Sequence, residues 1–562
     1  MLQGGLTHRP TARRGHDGGH NLAQAALGMG AGTLASRITG LAKLAALGYA
    51  LGFTHLADAY NLANTTPNIL YDLAVGGLLS ATVIPVFVHR LATTTSQRRA
   101  WKDISATLTL AACALVVVSI VFVILAPQII GLYTLGSNQP DIATQRAVAT
   151  DLLRLFAPQV ALYGAITLIT AVLNARRRFV APMTVPALNN IVVIIVLLSS
   201  APYIHHLTVV GHGEPLVPAS HDPALLWLLG AGTTFGLVVQ FLGLLPALRR
   251  TDARLRFRWN PTNVTAKSIL RLSGWTVGFV VANQVSFFVV LAIATGLPRG
   301  SVSAYTYAYT FFQLPYAVIA ISIMSAVQPS LAERFAVGAL AGLQHRASVG
   351  LRATLVAVLP AAVGYLILAR PLTGLLLAHG AGRAADISTT SSTMALFAIG
   401  LPGFCAYLYL VRVFQAMQDT KRVFRLYVFL QSLNVTLAFL FSRLLGTAGL
   451  ALALSVAYTV GAVVAALVLS RRIGGFRGAG LGRALARACL VTGIMGAVVA
   501  VVATRVGADH GFLLLVRVVV AVALGVTVFV AGAGLLADRA TRRSLEEPTR
   551  SNADDSSRRW RP

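Results

Sequence analysis

Two basic residues, Arg37 and Lys43, lie inside a stretch of sequence that is otherwise apolar enough to cross a membrane. The stretch, TLASRITGLAKLAALGYALGF at residues 33–53, contains no acidic residue. A cation at the centre of a membrane helix costs about 2.5–3.5 kcal/mol on insertion scales. Intramembrane cations that face a cavity mark a substrate pathway, and their natural ligand is an anion. The pair therefore predicts an anion-binding site within the membrane.

The spacing of these two cations leaves their relative direction open. Six residues correspond to about 9 Å of rise and about 120° of rotation on a straight helix. Gly40, midway between them, would permit a bend that aims both side chains inward. The alternatives are that the side chains reach to the membrane surface, that they pair with Asp58 and Asp72 on the next helix, or that the span lies elsewhere.

The composition is that of a polytopic membrane protein. Of 562 residues, 56% are hydrophobic and 11% are charged, whereas soluble domains carry about 25% charged residues. The three cysteines fall in apolar runs, with neither a disulfide framework nor paired metal-ligand spacing. No P-loop or HExxH motif occurs. We therefore expect a transporter rather than an enzyme, with no cofactor, no metal and no nucleic-acid partner.

Apolar runs of 18 or more residues predict fourteen membrane-spanning helices. We number them helix 1 to helix 14 and place them near residues 23–52, 57–89, 104–134, 151–175, 180–204, 224–248, 263–297, 302–332, 348–378, 391–415, 423–443, 448–470, 487–506 and 512–537. An offset of 244 residues relates PVFVHR (85–90) to PSLAER (329–334), and Arg178 to Arg422. It matches the distance between helices n and n+6. The predicted fold is all-α, with two parallel six-helix repeats about a pseudo-twofold axis and a C-terminal helix pair.

The distribution of basic residues predicts the orientation. The net charge is +28, and most Lys and Arg lie in the N-terminus, the C-terminal tail and alternate connections. The opposite connections hold five, namely Arg146, Arg299, Arg383, Arg443 and Arg505. The positive-inside rule then places both termini in the cytoplasm of a multi-pass plasma-membrane protein.

The predicted helices group into five segments along the chain. They are a cytoplasmic N-terminal segment (1–22), an N-terminal six-helix half (23–250), a C-terminal half (251–472), helices 13–14 (473–537) and a cytoplasmic tail (538–562). The tail is polar with mixed charge, which predicts disorder. It could recruit cell-wall synthesis proteins.

Motifs along the chain carry a family resemblance. Helices 1 and 2 contain ASRITGLAKLAAL, ADAYNLANTTPNIL and GGLLSATVIPVF, and AVLNARRRFVAP joins helices 4 and 5. Helix 8 contains SVSAYTYAYTFFQLPYAVIAISIMSAVQPSLAE, and helix 10 contains GLPGFCAYLYLVRVFQAMQDTKRV. This ordered set resembles the MurJ (MviN) family of lipid II flippases, within the multidrug/oligosaccharidyl-lipid/polysaccharide exporter superfamily.

The resemblance implies a substrate and a site. The substrate would be lipid II, an undecaprenyl-diphosphate-linked disaccharide pentapeptide, moved outward by alternating access. The family's cavity residues carry over at Arg37, Lys43 and Asp58. Asn68, in the helix 2 motif, and Arg412, in the helix 10 motif, complete the predicted substrate-binding set; Arg412 lies near a span end, where reaching to the membrane surface is the alternative. Helices 13–14 would form a groove for the lipid tail, and membrane lipids would be partners.

The chain also departs from the family pattern. It has Tyr71-Asp72 where basic residues are common, Tyr309-Thr310 where Asp-Arg is common, and Gln313 where an acid is usual. A flippase for another polyprenyl-diphosphate-linked glycan therefore stays an alternative. A cation-coupled drug exporter is a further one, although its site should be acidic. A non-transporting cell-wall scaffold is the alternative from a different class.

Overall fold

Helices are the regular secondary structure of the part of the chain that the structure describes. The computed structural model describes residues 17–73, 87, 96–176, 178–253, 255–262, 264–379, 384–476, 480–505 and 511–535. Twelve helical stretches in these ranges are long and apolar enough to cross a membrane. The helices Asp17–Ala50 and His55–Leu73 precede them. The predicted all-α polytopic fold is thereby confirmed.

The fourteen observed helices keep the numbers of the predicted ones. Helices 1 to 7 are Asp17–Ala50, His55–Leu73, Gln97–Tyr133, Ile142–Ala175, Val180–Val210, Pro223–Arg249 and Val264–Thr295. Helices 8 to 14 are Ser301–Ala336, Leu340–Leu377, Ala384–Ala416, Thr420–Leu445, Thr447–Ile473, Leu481–Arg505 and Gly511–Leu535.

Helices 3, 4, 9 and 10 begin seven or more residues before the predicted position. Helix 4 was expected from residue 151 and begins at Ile142. Helix 10 was expected from residue 391 and begins at Ala384. Hydropathy finds only the apolar part of a helix, whereas good helix formers such as alanine extend it into polar sequence. The segments between predicted helices 3 and 4 and between predicted helices 9 and 10 are therefore partly helical.

The α-helix is interrupted beside a proline in three of the described helices. Helix 5 consists of Val180–Thr184 and Pro186–Val210, with Val185 between them. Helix 4 consists of Ile142–Phe156 and Gln159–Ala175, with Pro158 between them. Helix 8 changes to a π-helix at Tyr316–Ala320, directly after Pro315. Proline lacks the N–H that an α-helix needs and clashes with the preceding turn. These interruptions are local consequences of the sequence.

The described helices fall into two compact units. The first contains the residues up to Tyr307, together with Leu376–Thr389 and Tyr427–Ser442. The second contains Ala308–Leu375, Thr390–Leu426 and the residues from Arg443. The division into halves at residues 250 and 251 stays a prediction, and the tail at 538–562 lies outside the described residues.

Packing in the first unit repeats the 244-residue offset seen in the sequence. Helix 5 packs along helix 1, where Asn190 Nδ2 donates to Thr39 Oγ1 at 3.1 Å. On helix 11, Asn434 Nδ2 donates to Ser286 Oγ of helix 7 at 3.0 Å. The two asparagines are 244 residues apart. The same position thus ties the fifth helix of each repeat to the first.

Helices 13 and 14 pack against each other in the second unit through small residues. A Cβ on Gly525 would meet Val499 Cγ2 at 3.0 Å, and one on Gly532 would meet Val491 Cγ1 at 2.7 Å. Small residues allow close helix contact in lipid, where packing rather than the hydrophobic effect drives association. Leu368 of helix 9 joins the same cluster, together with Met495, Val499, Val502 and Ala521.

Candidate functional site

The two predicted cations on helix 1 differ in exposure. The Arg37 side chain is exposed, and the Lys43 side chain is half-buried. Among the described residues, none forms an ion pair or a hydrogen bond with either side chain. Helix 1 is a continuous α-helix from Asp17 to Ala50. A role for either charge in anion binding stays a prediction.

The helical turn that carries Arg37 is held by helix 5. Asn190 Nδ2 donates to the Ser36 carbonyl at 3.2 Å and to Thr39 Oγ1 at 3.1 Å. The Thr39 hydroxyl donates in turn to the Ala35 carbonyl at 2.8 Å. These bonds flank Arg37 on both sides. The sequence analysis did not single out Asn190; its counterpart Asn434, at the repeat offset, is the signal that could have found it.

Asp58 binds the beginning of helix 8. Its carboxylate accepts hydrogen bonds from the backbone N–H of Gly300 at 2.8 Å, the N–H of Ser303 at 2.8 Å and the Ser303 hydroxyl at 2.6 Å. Asp58 is only 4% exposed. The amide groups at a helix N-terminus have no partner within the helix and carry partial positive charge. The carboxylate therefore caps helix 8.

This contact joins two positions of the internal repeat. The 244-residue offset relates Asp58 to Val302, which lies between the residues that Asp58 binds. In a pseudo-twofold arrangement, residues close to the axis lie beside their own repeat counterparts. The offset is the signal that points to this part of the chain, and the structure identifies Gly300 and Ser303 as the residues that bind. An ion pair between Asp58 and Arg37 or Lys43 does not occur in the described structure.

Gly300 is required at its position for two reasons. Its φ is +80°, in the left-handed region that side chains disfavour. A Cβ at this position would lie 2.7 Å from the Phe53 carbonyl oxygen. Only glycine allows the backbone to approach closely enough for the bond to Asp58.

A second polar contact joins the same end of helix 2 to two neighbouring connections. Glu214, between helices 5 and 6, accepts a hydrogen bond from the His55 N–H at 3.1 Å. It also pairs with Arg299 Nη1, before helix 8, at 3.2 Å. Both side chains of the ion pair are partly buried, which limits screening by solvent. On the predicted topology these contacts lie on the outer side of the membrane.

Buried side-chain bonds extend this network inward along helix 2. Asn61 Nδ2 donates to Ser303 Oγ at 3.0 Å and reaches the Tyr307 hydroxyl at 3.4 Å. We call the contacts of Asp58, Asn61 and Glu214 with residues 299–307 the outer closure. All of them lie in the first compact unit. Of these residues, sequence reasoning singled out Asp58 alone.

The remaining candidates lie apart along the chain. Asn68 is half-buried and donates its side-chain amide to the Asn64 carbonyl of its own helix at 2.8 Å. Arg412 belongs to the second unit, is half-buried, and donates to Gln415 Oε1 at 3.3 Å. The side chains of Tyr71 and Asp72 lie outside the described residues. Roles for Asn68 and Arg412 in binding stay predictions.

An aromatic cluster occupies the part of helix 8 that carries Tyr309. The Tyr309 and Phe397 rings lie 5.8 Å apart, and Phe312 lies 5.1 Å from Phe397 and 4.9 Å from Phe404. Phe312, Phe397 and Phe404 are buried. The segment in which the family carries a charged pair therefore packs here as an apolar wall within the second unit.

The second unit also contains an apolar cavity of about 520 Å³. Its lining comes from helix 9 through Tyr365 and Leu368, from helix 13 through Met495, and from helix 14 through Gly525 and Phe529. Hydrocarbon is the chemistry that such a lining favours. Groups of three or more metal-ligating side chains do not occur among the described residues.

Comparison with known proteins identifies the family. The family model described as "Lipid II flippase MurJ" matches residues 47–521. The chain belongs to the MurJ family. The match begins after Arg37 and Lys43, so their assignment depends on the sequence motif of helix 1 and on the geometry above.

Individual relatives of the MurJ family agree with this assignment. The chain is 28% identical over 456 residues to the protein named lipid II flippase MurJ of Burkholderia cenocepacia, which covers 80% of this chain and 84% of that protein. It is similar in fold to a lipid II flippase MurJ solved in an inward closed conformation, with a TM-score of 0.71, 21% identity and coverage of 92% and 99%. A multidrug resistance MATE transporter in an inward-facing conformation matches with a TM-score of 0.63, 15% identity and coverage of 79% and 96%.

Proposed function

We propose that this protein carries lipid II from the cytoplasmic face to the outer face of the bacterial plasma membrane. The match to the lipid II flippase family over residues 47–521 is the observation that carries this proposal. The protein is a transporter of many spans, and the substrate is a lipid with a diphosphate between its polyprenyl chain and its sugars. Both termini lie in the cytoplasm on the predicted topology.

Arg37 and Lys43 bind the diphosphate. A cation about 4 Å from a phosphate charge contributes about 4 kcal/mol at an effective dielectric constant of 20. This exceeds the insertion cost of about 2.5–3.5 kcal/mol for one cation in the membrane. Arg37 can form two parallel bonds to phosphate oxygens, whereas Lys43 acts as a point charge. The absence of a described protein partner at either residue supports this role.

The outer closure holds the protein shut toward the outside while substrate enters from the cytoplasm. Release of lipid II to the outer face requires the bonds from Asp58 to Gly300 and Ser303 to break. Hydrogen bonds to a charged group contribute about 1.5–3 kcal/mol each, so binding energy from the substrate can offset part of this cost. Asp58 stays a candidate for substrate contact in addition to this closing role.

The lipid tail occupies the apolar cavity lined by helices 9, 13 and 14. Fourteen helices exceed the twelve that two six-helix repeats need, and the extra pair supplies half of the residues that line this cavity. Because the cavity surface is hydrocarbon, an acyl or polyprenyl chain can enter without the desolvation of polar groups.

Genetic rescue and direct transport together test the proposal. The chain should restore growth to a bacterium depleted of its own lipid II flippase. Membrane vesicles that contain the protein should show lipid II on the opposite leaflet, and Arg37→Ala should abolish this movement at equal protein abundance. A scaffold would keep its rescue activity in Arg37→Ala, so rescue by that variant without movement of lipid II in vesicles would overturn the transport proposal.

The aromatic cluster on helix 8 favours one second candidate. Tyr309 places a ring in the segment where the family commonly carries a charged pair, and aromatic rings bind the apolar faces of sugars. A flippase for a different polyprenyl-diphosphate-linked glycan would use the same cations with another sugar. Failure to rescue the depleted strain, together with transport of a different lipid-linked glycan in vesicles, would favour this candidate.

A further inference from the structure

The connection between helices 6 and 7 lies extended along helix 3. The N–H of Arg256 donates to Ser105 Oγ at 3.2 Å, and the N–H of Arg258 donates to Thr109 Oγ1 at 3.0 Å. The two acceptors are four helical residues apart, which is about 6 Å. Two residues of extended chain cover about 6.6 Å. The agreement shows that the connection runs parallel to helix 3 in extended form.

The first residues of this connection pack against helix 3. Ala253 and Leu255 pack on the core cluster that contains Trp101 and Ile104. Arg176, over the Trp101 ring at 5.0 Å, also pairs with Asp252 at 2.7 Å. Packing, an ion pair and two backbone hydrogen bonds therefore fix its path.

The next four residues leave their side chains exposed. We call Arg256, Phe257, Arg258 and Trp259 the interfacial strip. Phe257 is 81% exposed and Trp259 is 61% exposed, and both arginines are exposed as well. Successive side chains of an extended chain point to opposite faces, so the two rings share one face. Neither guanidinium pairs with a described residue.

The position along helix 3 sets the level of the strip relative to the membrane. Helix 3 carries Arg98, Arg99, Lys102 and Asp103 in its first two turns and no charged residue from Ile104 to its end. Ser105 and Thr109, which hold the strip, lie just past this change. Tryptophan is enriched at the membrane–water interface, and arginine there reaches toward lipid phosphates.

We infer that the interfacial strip binds the headgroups of anionic phospholipids. Charge complementarity selects this occupant, because two unpaired guanidinium groups alternate along the strip with two rings suited to the acyl boundary. The rings insert at the level of the glycerol backbone, and Arg256 and Arg258 contact phosphate oxygens. This site is separate from lipid II transport and does not depend on it.

Lipid-specific fluorescence quenching tests this inference on the full chain. Pro261→Cys, in a chain without its native cysteines, places a bimane label beside the strip while leaving the strip intact. The labelled protein is reconstituted in phosphatidylcholine vesicles with either brominated phosphatidylglycerol or brominated phosphatidylcholine. We expect stronger quenching by brominated phosphatidylglycerol. Each arginine near the membrane surface should increase the preference for phosphatidylglycerol about five-fold, which corresponds to about 1 kcal/mol.

A matched pair of variants separates the strip from general positive charge. Arg256→Gln with Arg258→Gln should abolish the preference for phosphatidylglycerol. Arg249→Gln with Arg250→Gln removes the same charge from the end of helix 6 and should leave the preference unchanged. Equal loss in both double variants would overturn the inference. Equal quenching by the two lipids in the parent chain would also overturn it. Quenching by aqueous iodide instead of by brominated lipid would do the same, because the strip would then face water and a soluble partner.

Discussion

Asn190 and Asn434, which lie 244 residues apart, tie corresponding pairs of helices together in the two repeats. Asn190 ties helix 5 to Thr39 of helix 1, and Asn434 ties helix 11 to Ser286 of helix 7. The two contacts differ in what they hold in place. Helix 1 carries Arg37 and Lys43, whereas the spanning part of helix 7, Val277–Thr295, carries no charged residue. The repeat thus provides a natural control for the cation-bearing helix.

Replacing either asparagine by leucine should weaken the fold similarly but affect transport differently. Each change removes interhelical hydrogen bonds, which contribute about 0.6–2 kcal/mol in membranes. We expect similar decreases in the melting temperature of purified protein for Asn190→Leu and Asn434→Leu. Transport in vesicles should fall further in Asn190→Leu, because the turn around Arg37 loses its support. Equal transport by the two variants would contradict a positioning role for Asn190.

Removal of the helix 1 cations should abolish lipid II movement. Arg37→Ala and Lys43→Ala each remove a charge that binds diphosphate, and both proteins should insert normally because a membrane cation opposes insertion. Lys43→Arg should keep its activity. Arg37→Lys should retain partial activity, since the charge stays but the two-pronged contact is lost. Flipping is measured as the outward appearance of lipid II in vesicles, with protein abundance measured in parallel.

Arg154→Ala is the matched control for this series. Arg154 is exposed and pairs with Asp151 at 3.2 Å on its own helix, and an exposed pair of this kind contributes about 0–1 kcal/mol. Its removal should leave flipping unchanged. Full activity in both Arg37→Ala and Lys43→Ala would instead assign those side chains to the membrane surface.

Substitution of Gly300 should open the outer closure. Gly300→Ala adds a Cβ that would lie 2.7 Å from the Phe53 carbonyl, at a positive φ. Gly338 also has a positive φ, +70°, but has nothing within 4 Å of the added Cβ. Gly338→Ala should therefore cost only the backbone strain of about 1–2 kcal/mol. A larger fall in melting temperature for Gly300→Ala than for Gly338→Ala would confirm the close approach, and equal falls would refute it.

The charge of Asp58 should matter for the same closure. Asp58→Asn keeps the shape of the side chain but removes the attraction between a carboxylate and the beginning of helix 8. We expect reduced flipping and faster labelling, by a membrane-impermeant maleimide, of a cysteine introduced at Val302, which is buried. Unchanged labelling would show that the closure does not depend on the carboxylate charge.

The predicted orientation can be tested by labelling in intact cells. Ser220→Cys and Ser388→Cys, in a chain without native cysteines, should react with an impermeant maleimide, whereas Ser96→Cys should be protected. Ser388 and Ser96 are exposed in the structure, and Ser220 is half-buried. Labelling at Ser96 with protection of the other two would mean that the orientation is inverted.

Hydropathy and charge in the sequence were sufficient to predict the helical fold, and the 244-residue offset predicted the repeat. The helix starts at Ile142 and Ala384 were placed too late, because the helices continue into polar sequence that hydropathy does not register. Arg37 and Lys43 could be recognised from the sequence because a charge in an apolar stretch is energetically costly whatever the helix packs against. Their role in binding stays a prediction.

By itself, the sequence determined the features that depend on composition along the chain: the helical class, the repeat, the candidate cations and the family resemblance. The tertiary structure decided which distant groups meet. Asp58 could have faced the cations or the beginning of another helix, and only the fold shows that Gly300 and Ser303 provide its hydrogen bonds. A buried carboxylate needs donors, but the sequence does not specify which of many backbone amides will come within 3 Å. That choice follows from the packing of helix 2 against helix 8.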